Sequence, residues 1–212
     1  MHRLAVISDV HADVHALEAA LSLIERLGCH SIVCAGDLVD YGLFGDETLD
    51  LLAARKIPCV RGNHDRWALD GDGHGGGAEL SRPSRRFLAA LPRSLAMTIE
   101  GVRIAVHHAS PRGDMDGIDP DETSFALAAE HLRAAAADVL IVGHTHISFA
   151  LDVEGVGTIH NPAALLRSPA SDDDLPRATA RFGVLELPTK RFSVYRVADG
   201  QEVDIIRRRV TR

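Results

Sequence analysis

Short apolar runs alternate with polar stretches that carry acids and histidines, and the period of the apolar positions changes from two to about four and back. Leu4 to Ile7 is a strand-like run that ends at Ser8-Asp9-Val10-His11. From Asp13 onward Leu17, Leu21, Ile24 and Leu27 recur at helical spacing, Glu18, Glu25 and Arg26 take the other face, and Gly28 is placed to end the helix. Ser31 to Ala35 repeats the strand pattern, Asp46 to Arg55 predicts a second helix, and Ile57 to Val60 predicts a third strand. This βαβαβ order favours parallel strands joined by right-handed crossovers. The glycine-rich stretch Asp70 to Ala78 suits neither helix nor strand and predicts a mobile loop. A helix over Arg82 to Leu91 should stop at Pro92, and Ala96 to Ile99 with Val102 to Val106 should pair as a hairpin around Glu100-Gly101. The alanine-rich stretch Glu122 to Ala137 predicts a helix feeding the apolar strand Val139 to Val142. Four more strands, Phe149 to Val153, Gly157 to His160, Phe182 to Leu187 and Phe192 to Val197, suggest an antiparallel C-terminal part. Each sheet must bury a face, so the expectation is an α/β fold of two packed sheets with helices outside, in one domain spanning residues 1–212.

Chemistry-bearing residues sit where these strands end. Asp9/His11, Asp37/Asp40, Asn63/His64/Asp65, His107/His108 and His144/His146 each follow an apolar run. In an open α/β sheet the carboxyl ends of strands border a common crevice, so side chains remote in sequence can converge there. Asp and His two residues apart in extended backbone share a face and can hold one metal ion, and Asn63 offers a neutral carbonyl oxygen. The donor set is oxygen and imidazole nitrogen without thiolate, compatible with Mn, Fe, Zn, Co or Ni.

Composition narrows the partners. A hydrophobic fraction of 46% excludes a disordered chain. With 30 acidic against 23 basic residues, the net charge of -7 argues against extended nucleic acid as a partner. Cys29, Cys34 and Cys59 lie in or beside apolar runs and form no C-x-x-C pair, which predicts buried free thiols in a reducing compartment. The first residues lead directly into a strand and a ligand pair, and no apolar run reaches about 18 residues. A cytoplasmic protein without a membrane partner is the expectation.

The motifs Asp9-Val10-His11, Gly36-Asp37-Leu38-Val39-Asp40, Gly62-Asn63-His64-Asp65, His108-Ala109-Ser110-Pro111 and Gly143-His144-Thr145-His146 occur in this order. The chain thereby resembles the calcineurin-like metallophosphoesterase superfamily, most closely its small bacterial phosphodiesterase-like branch, through Asn161-Pro162. The resemblance implies a four-layer αββα sandwich of two mixed β-sheets flanked by helices, and two divalent metal ions, manganese among the options. It implies that Asp9, His11, Asp37 and His146 hold one metal and that Asp37, Asn63, His108 and His144 hold the second, with Asp37 bridging. His64 would face the leaving-group oxygen and Asp40 would orient it. The implied reaction is hydrolysis of a phosphodiester or phosphomonoester by a hydroxide held between the metals, on a small phosphate ester such as a nucleotide. The chain departs from the family in three places. His107-His108-Ala109 replaces His-Gly, and its register makes His108 the ligand and places His107 on the opposite strand face. Tyr41 stands where protein Ser/Thr phosphatases of the superfamily carry an arginine, which counts against a phosphoprotein substrate. Asn161-Pro162-Ala163-Ala164 replaces Asn-Pro-Gly-Ser.

Plainer roles compete for several residues. Asp13 suits a helix cap and Asp65 a hydrogen-bond acceptor behind the ligands. His2, His15, His30, His107, His131 and His160 read as surface or supporting residues, His74 as a solvated loop residue, and Asp172 to Asp174 as a solvated acidic run. Arg61, Arg66, Arg112 and Arg167 flank motif residues, where surface ion pairs are the ordinary role. A scaffold or binding protein that keeps the fold without catalysis is the alternative function, and its mark would be lost ligands. A structural zinc site would be closed and typically cysteine-rich, unlike this set.

Overall fold

The computed structural model describes residues 1–71, 79–167 and 180–212. Most of the glycine-rich stretch with His74, and Asp172 to Asp174, lie outside the described residues.

The N-terminal run forms β1 (His2–Ile7), which pairs in parallel with β2 (Ser31–Cys34). Between them α1 (Val14–Arg26) starts at Asp13, whose carboxylate accepts the Ala16 N–H at 3.0 Å, the expected cap. Its Leu17, Ala20, Leu21 and Ile24 face is buried, and Gly28 follows its end in the left-handed region at φ 66°. The expected third strand is reduced to one parallel bridge, Cys34 opposite Cys59. Pro58 brings no N–H to a further rung, and at Gly62 the chain turns into a helix that the hydrophobic pattern did not predict, α3 (Asn63–Asp70). Elements α2 (Gly45–Ala54) and α4 (Arg82–Ala90), and the hairpin β3 (Ser94–Ile99) to β4 (Val102–His107), fall where expected. Helix α5 (Phe125–Ala134) is shorter than its alanine-rich segment because Ser124 caps it through the Leu127 N–H and Ala136 turns left-handed at φ 50°.

The remaining strands are β5 (Val139–Ile141), β6 (Ser148–Val153), β7 (Gly157–Pro162), β8 (Arg181–Leu187), β9 (Arg191–Arg196), β10 (Glu202–Val203) and β11 (Ile206–Val210). One sheet has the order β10-β9-β8-β1-β2 and the other β11-β6-β7-β5-β4-β3. Both are mixed. The antiparallel expectation for the C-terminal part holds for β6 with β7 and β8 with β9, but β5 runs parallel to β7 and β11 parallel to β6. Strand β11 reads Ile-Arg-Arg-Arg-Val, and that arginine run hid both the strand and its partner.

Side chains alternate between the two faces of each sheet and build three apolar layers. Leu4, Val6, Leu185 and Phe192 of the first sheet pack between the sheets with Ile104, Val106 and Ile141 of the second. The outer face of the first sheet, with Ala5, Ile7 and Phe182, is covered by α1, α2 and α4. The outer face of the second, with Leu140, Phe149 and Ile159, is covered by α5. The result is the expected four-layer αββα sandwich of two mixed sheets. Among the described residues no helix is long and apolar enough to cross a membrane.

Candidate metal centre

The loops after β1 and β2 are laid side by side by backbone bonds: the N–H groups of Asp9, His11 and Ala12 donate to the carbonyls of Gly36, Asp37 and Leu38 at 2.9, 3.1 and 2.9 Å. The loop after β5 joins them through the Gly143 N–H to the His108 carbonyl, 2.7 Å, and the His144 N–H to Asp9, 3.1 Å. Close approach requires the glycines. A Cβ at Gly62 would lie 2.0 Å from Asp37 Oδ1, and one at Gly143 would lie 1.9 Å from Ser8 Oγ. Asp9, His11, Asp37, Asp40, His144 and His146 all take positive φ, between 48° and 76°. Left-handed backbone at non-glycine residues stores about 1–3 kcal/mol each and collects at functional sites.

Two groups of three donors result, Asp9 with His11 and His146, and Asp37 with His108 and His144; within each group the donor atoms lie within 4.8 Å of one another. His11 Nε2 is 3.2 Å from His146 Nε2, and His146 Nε2 is 3.4 Å from Asp9 Oδ1. In the second group His108 Nε2 is 3.1 Å from Asp37 Oδ2. Asn63 Oδ1 lies 2.9 Å from His108 Nε2 and 3.0 Å from His144 Nδ1, so it belongs with this group. Asp37 stands between the two, because the same Oδ2 is 3.9 Å from His11 Nε2.

These residues fit divalent cations. Adjacent donors at about 2.1 Å from one ion sit roughly 3.0–3.4 Å apart; the separations of 2.9 to 3.4 Å match this, and the 3.9 Å from Asp37 Oδ2 to His11 Nε2 is longer. His108 Nδ1 donates to the Ala35 carbonyl at 2.8 Å and His11 Nδ1 to that of Val39 at 3.3 Å, which fixes the tautomer that turns an Nε2 lone pair inward. His11 Nε2 and His146 Nε2 face each other at 3.2 Å, a separation that two donors to one cation also take. Electrostatics agree. Burial favours a neutral Asp9, yet the hydrogen bond from His146 and the charges of the histidines around it hold its carboxyl well below the usual carboxylate range. Burial would likewise lower His108, but Asp37 beside it pushes that imidazole up to about 10, so without a cation the ring also carries a proton on Nε2, which a bound metal ion would replace. Burial dominates at His11, lowered to about 4.

His64 contributes differently. Its backbone N–H donates to Asp37 Oδ1 at 2.9 Å, its Nδ1 is 2.7 Å from Asp40 Oδ2, and its Nε2 faces the Tyr41 hydroxyl at 3.3 Å. Asp65 is the expected acceptor behind the ligands: it takes the N–H groups of Leu38 and Val39 on one oxygen and of Gly62 on the other. Burial first, then the charge of Asp37, pushes it up to about 7.

His107 lies on the outer face of β4, where burial and His131 lower its pKa, while His108 shares the inner face with Val106. Two positioning residues, Asn161 and Tyr41, were named in the sequence without these parts. Asn161 donates to the Gly143 carbonyl at 2.7 Å and the Thr145 hydroxyl at 3.2 Å, and accepts the Ala163 N–H, so it clamps the loop bearing His144 and His146. Its position after the last motif was the available signal. Tyr41 covers His64, and Asp13, besides capping α1, binds Arg167 in a two-oxygen pair, with Nη2 2.8 Å away. His131 and His160, expected at the surface or in support of the ligands, are buried instead, at 3% and 2% exposure.

Beside the donor groups is a recess of about 340 Å³, with His108 in its wall and Arg61, Arg66, Arg93 and Arg112 around it. Its one lining carboxylate, Asp114, is bonded to Arg66 at 2.7 Å. Arg112 is likewise paired, with Glu130 at 2.8 Å, the surface ion pair expected of it; four guanidiniums against two carboxylates leave the recess locally cationic on a chain of charge -7.

The model of the calcineurin-like phosphoesterase superfamily domain matches residues 2–175. An uncharacterized protein of Methanocaldococcus jannaschii is 30% identical over 171 residues, 74% of this chain and 68% of that protein. The structure is similar to the crystal structure of a metallophosphoesterase from Sphaerobacter thermophilus, with a TM-score of 0.69 and 26% identity over 94% of this chain and 91% of that one. The Vps29 of Entamoeba histolytica complexed with zinc shares the fold, with a TM-score of 0.57 and 20% identity over 95% of this chain and 96% of that one. With the matched region covering the donor residues and most of the sequence, the chain belongs to the calcineurin-like phosphoesterase superfamily.

Proposed function

We propose that the protein is a hydrolase of small phosphate esters that works with two divalent cations, one at each donor group, Asp37 serving both. The observation that carries this reading is the position of Asp37 Oδ2, 3.1 Å from a histidine of one group and 3.9 Å from a histidine of the other. Cations bound there supply positive charge to phosphoryl oxygens and lower the pKa of water toward neutrality.

The protein's own residues divide the remaining work. Asp9, His11 and His146 form one set, and Asn63, His108 and His144 the other, with Asp37 between them. Asp40 accepts the Nδ1 N–H of His64, and the ring, entering the step with protons on both nitrogens, gives its Nε2 proton to the departing alkoxide and is left neutral with Nδ1–H. Tyr41 touches that nitrogen and yields its place to the ester oxygen. The arginines of the recess hold the ester's charge, which suits a small anionic substrate such as a nucleotide and needs no extended nucleic acid. Cys29, Cys34 and Cys59 are free thiols, which fits the reducing cytoplasm.

The fold is shared with a vacuolar protein sorting protein, so a binding role without catalysis is the competing reading. The complete donor set favours catalysis. Turnover of a phosphodiester and a phosphomonoester, side by side after reconstitution with Mn, Fe, Co, Ni or Zn, tests the choice. Hydrolysis above the metal-free control is the expected result, and none with any metal would favour the binding role.

A further inference from the structure

Cross-strand registry brings a second polar cluster together on the inner face of the other end of the β11-β6-β7 sheet. Arg207 lies opposite Ala150, which lies opposite His160; two residues along, Arg209, Asp152 and Thr158 form the next row. Both rows point the same way because strand faces alternate. Across from them are Lys190, in the turn before β9, and Arg191 and Phe192 of β9, and the space between is a cleft of about 320 Å³. It shares no lining residue with the donor groups or with the arginine-rich recess.

The cleft leaves polar groups unsatisfied. Neither ring nitrogen of His160 has a hydrogen-bond partner, nor does the buried hydroxyl of Thr158. Buried polar atoms without partners are rare and costly, about 1–3 kcal/mol each; these lie beneath the cleft wall with no exposed surface, where a water or ligand hydroxyl that entered would complete them. His160 is 2% exposed and stacks on Phe192 with ring centres 4.6 Å apart, which fixes the ring's plane. Burial, then Arg207 and Lys190, lowers its pKa to about 3, leaving a neutral ring with one N–H donor and one acceptor nitrogen.

The cations around it are loosely matched. Arg207 donates to the Phe192 carbonyl at 2.8 Å, which uses one of its N–H groups and holds the guanidinium at the cleft. Arg191 is no closer than 3.8 Å to Glu202 and 3.9 Å to Glu186. Arg209 is taken up by Glu154 at 2.8 Å and lies 3.7 Å from Asp152, the one carboxylate in the lining. Spare guanidinium and ammonium donors ask for an oxyanion, and a neutral imidazole beside a hydroxyl asks for a ligand that also donates.

We propose that this cleft is a second binding site, for a small phosphate ester carrying hydroxyl groups, held by Arg207, Arg191 and Lys190 through its phosphate and by His160 and Thr158 through its hydroxyls. The ligand is bound there without being hydrolysed, since among the described residues no metal-donor group lies in the cleft.

The test uses the full chain, treated with chelator so that the probe is not consumed, and glycerol 3-phosphate as the probe. Histidine ring resonances are followed by NMR, with His160 assigned through His160→Gln. Saturable movement of the His160 signals is expected, weakened at least about tenfold by Arg207→Gln and by Lys190→Gln, the loss of one charge-assisted contact. Neither substitution should change turnover at the metal centre. Inorganic phosphate, lacking the hydroxyl groups, should bind more weakly. Stationary His160 signals at saturating probe, or binding indifferent to Arg207→Gln, would overturn the proposal.

Discussion

The Nδ1 of His64 lies 2.7 Å from Oδ2 of Asp40, both buried, while the His64 backbone N–H is tied to Asp37 at 2.9 Å. The ring is therefore held beside the donor groups by two bonds and is not counted in either group. His64→Ala should keep both metals and lose roughly 10²- to 10⁴-fold in rate, the usual contribution of a positioned acid. The loss should shrink for nitrophenyl esters, whose leaving group departs without a proton, and Asp40→Asn should show a weaker form of the same pattern. Steady-state rates on good and poor leaving groups, with metal content measured in parallel, check this. Equal losses on both, or loss of metal, would assign His64 to another role.

The adjacent histidines of the β4 end should behave oppositely. His108 Nε2 lies 3.1 Å from Asp37 Oδ2, whereas His107 faces outward toward His131. His108→Ala should weaken metal binding at its group and reduce turnover. His107→Ala should change thermal stability and leave metal content intact. The reverse outcome would show that the strand register serves the site differently.

Asn161 offers a test of positioning without removal of a ligand. Its side chain clamps the Gly143 carbonyl and the Thr145 hydroxyl between the two histidines of that loop. Asn161→Ala should lower metal affinity by about 10- to 100-fold, as the loss of groups that orient ligands generally does. Titration with a competing chelator measures this. An unchanged affinity would make the clamp purely structural.

What could be read from the sequence, and what could not, divides along physical lines. Strands such as Leu4–Ile7 and helices such as Val14–Arg26 bury one periodic face, and their hydrophobic pattern announces them. Asp9, His11, Asp37, His108, His144 and His146 were legible because each follows such a strand, whereas Asn63 follows a single bridge and opens α3. Helix α3 was not, because Asn63, His64 and Asp65 are buried for polar reasons, with Asp65 capping the helix through the Gly62 N–H. Strand β11 was missed because its arginines carry no apolar alternation, and the role of Asn161 because it depends on a loop 18 residues away. The burial of His160 depends on strand registry that local sequence does not specify.

The pair Asp138 and Arg103 gives a pH test away from the site. Two hydrogen bonds from the guanidinium, at 2.7 and 3.1 Å, and one from the Arg103 N–H, at 2.9 Å, lower Asp138 to about 2. An unfolded aspartate titrates near about 3.9. A depressed folded pKa means stabilisation that is present above about pH 4 and lost as pH falls through about 2. Asp138→Asn should lower Tm at neutral pH, by a small margin because the pair is exposed, and the difference from the parent should close toward pH 2. Scanning calorimetry at stepped pH would show it; a constant difference down to pH 2 would contradict the assignment.

The most direct test of the account is the number of metal ions per chain, measured by elemental analysis after reconstitution at neutral pH and set against phosphoesterase turnover. Two ions per chain are expected, with turnover reaching its maximum only when the second is bound, and Asp37→Asn should fall short of two ions and lose activity. One ion per chain with full turnover, or two ions retained with activity unaltered in Asp37→Asn, would contradict a centre built around Asp37.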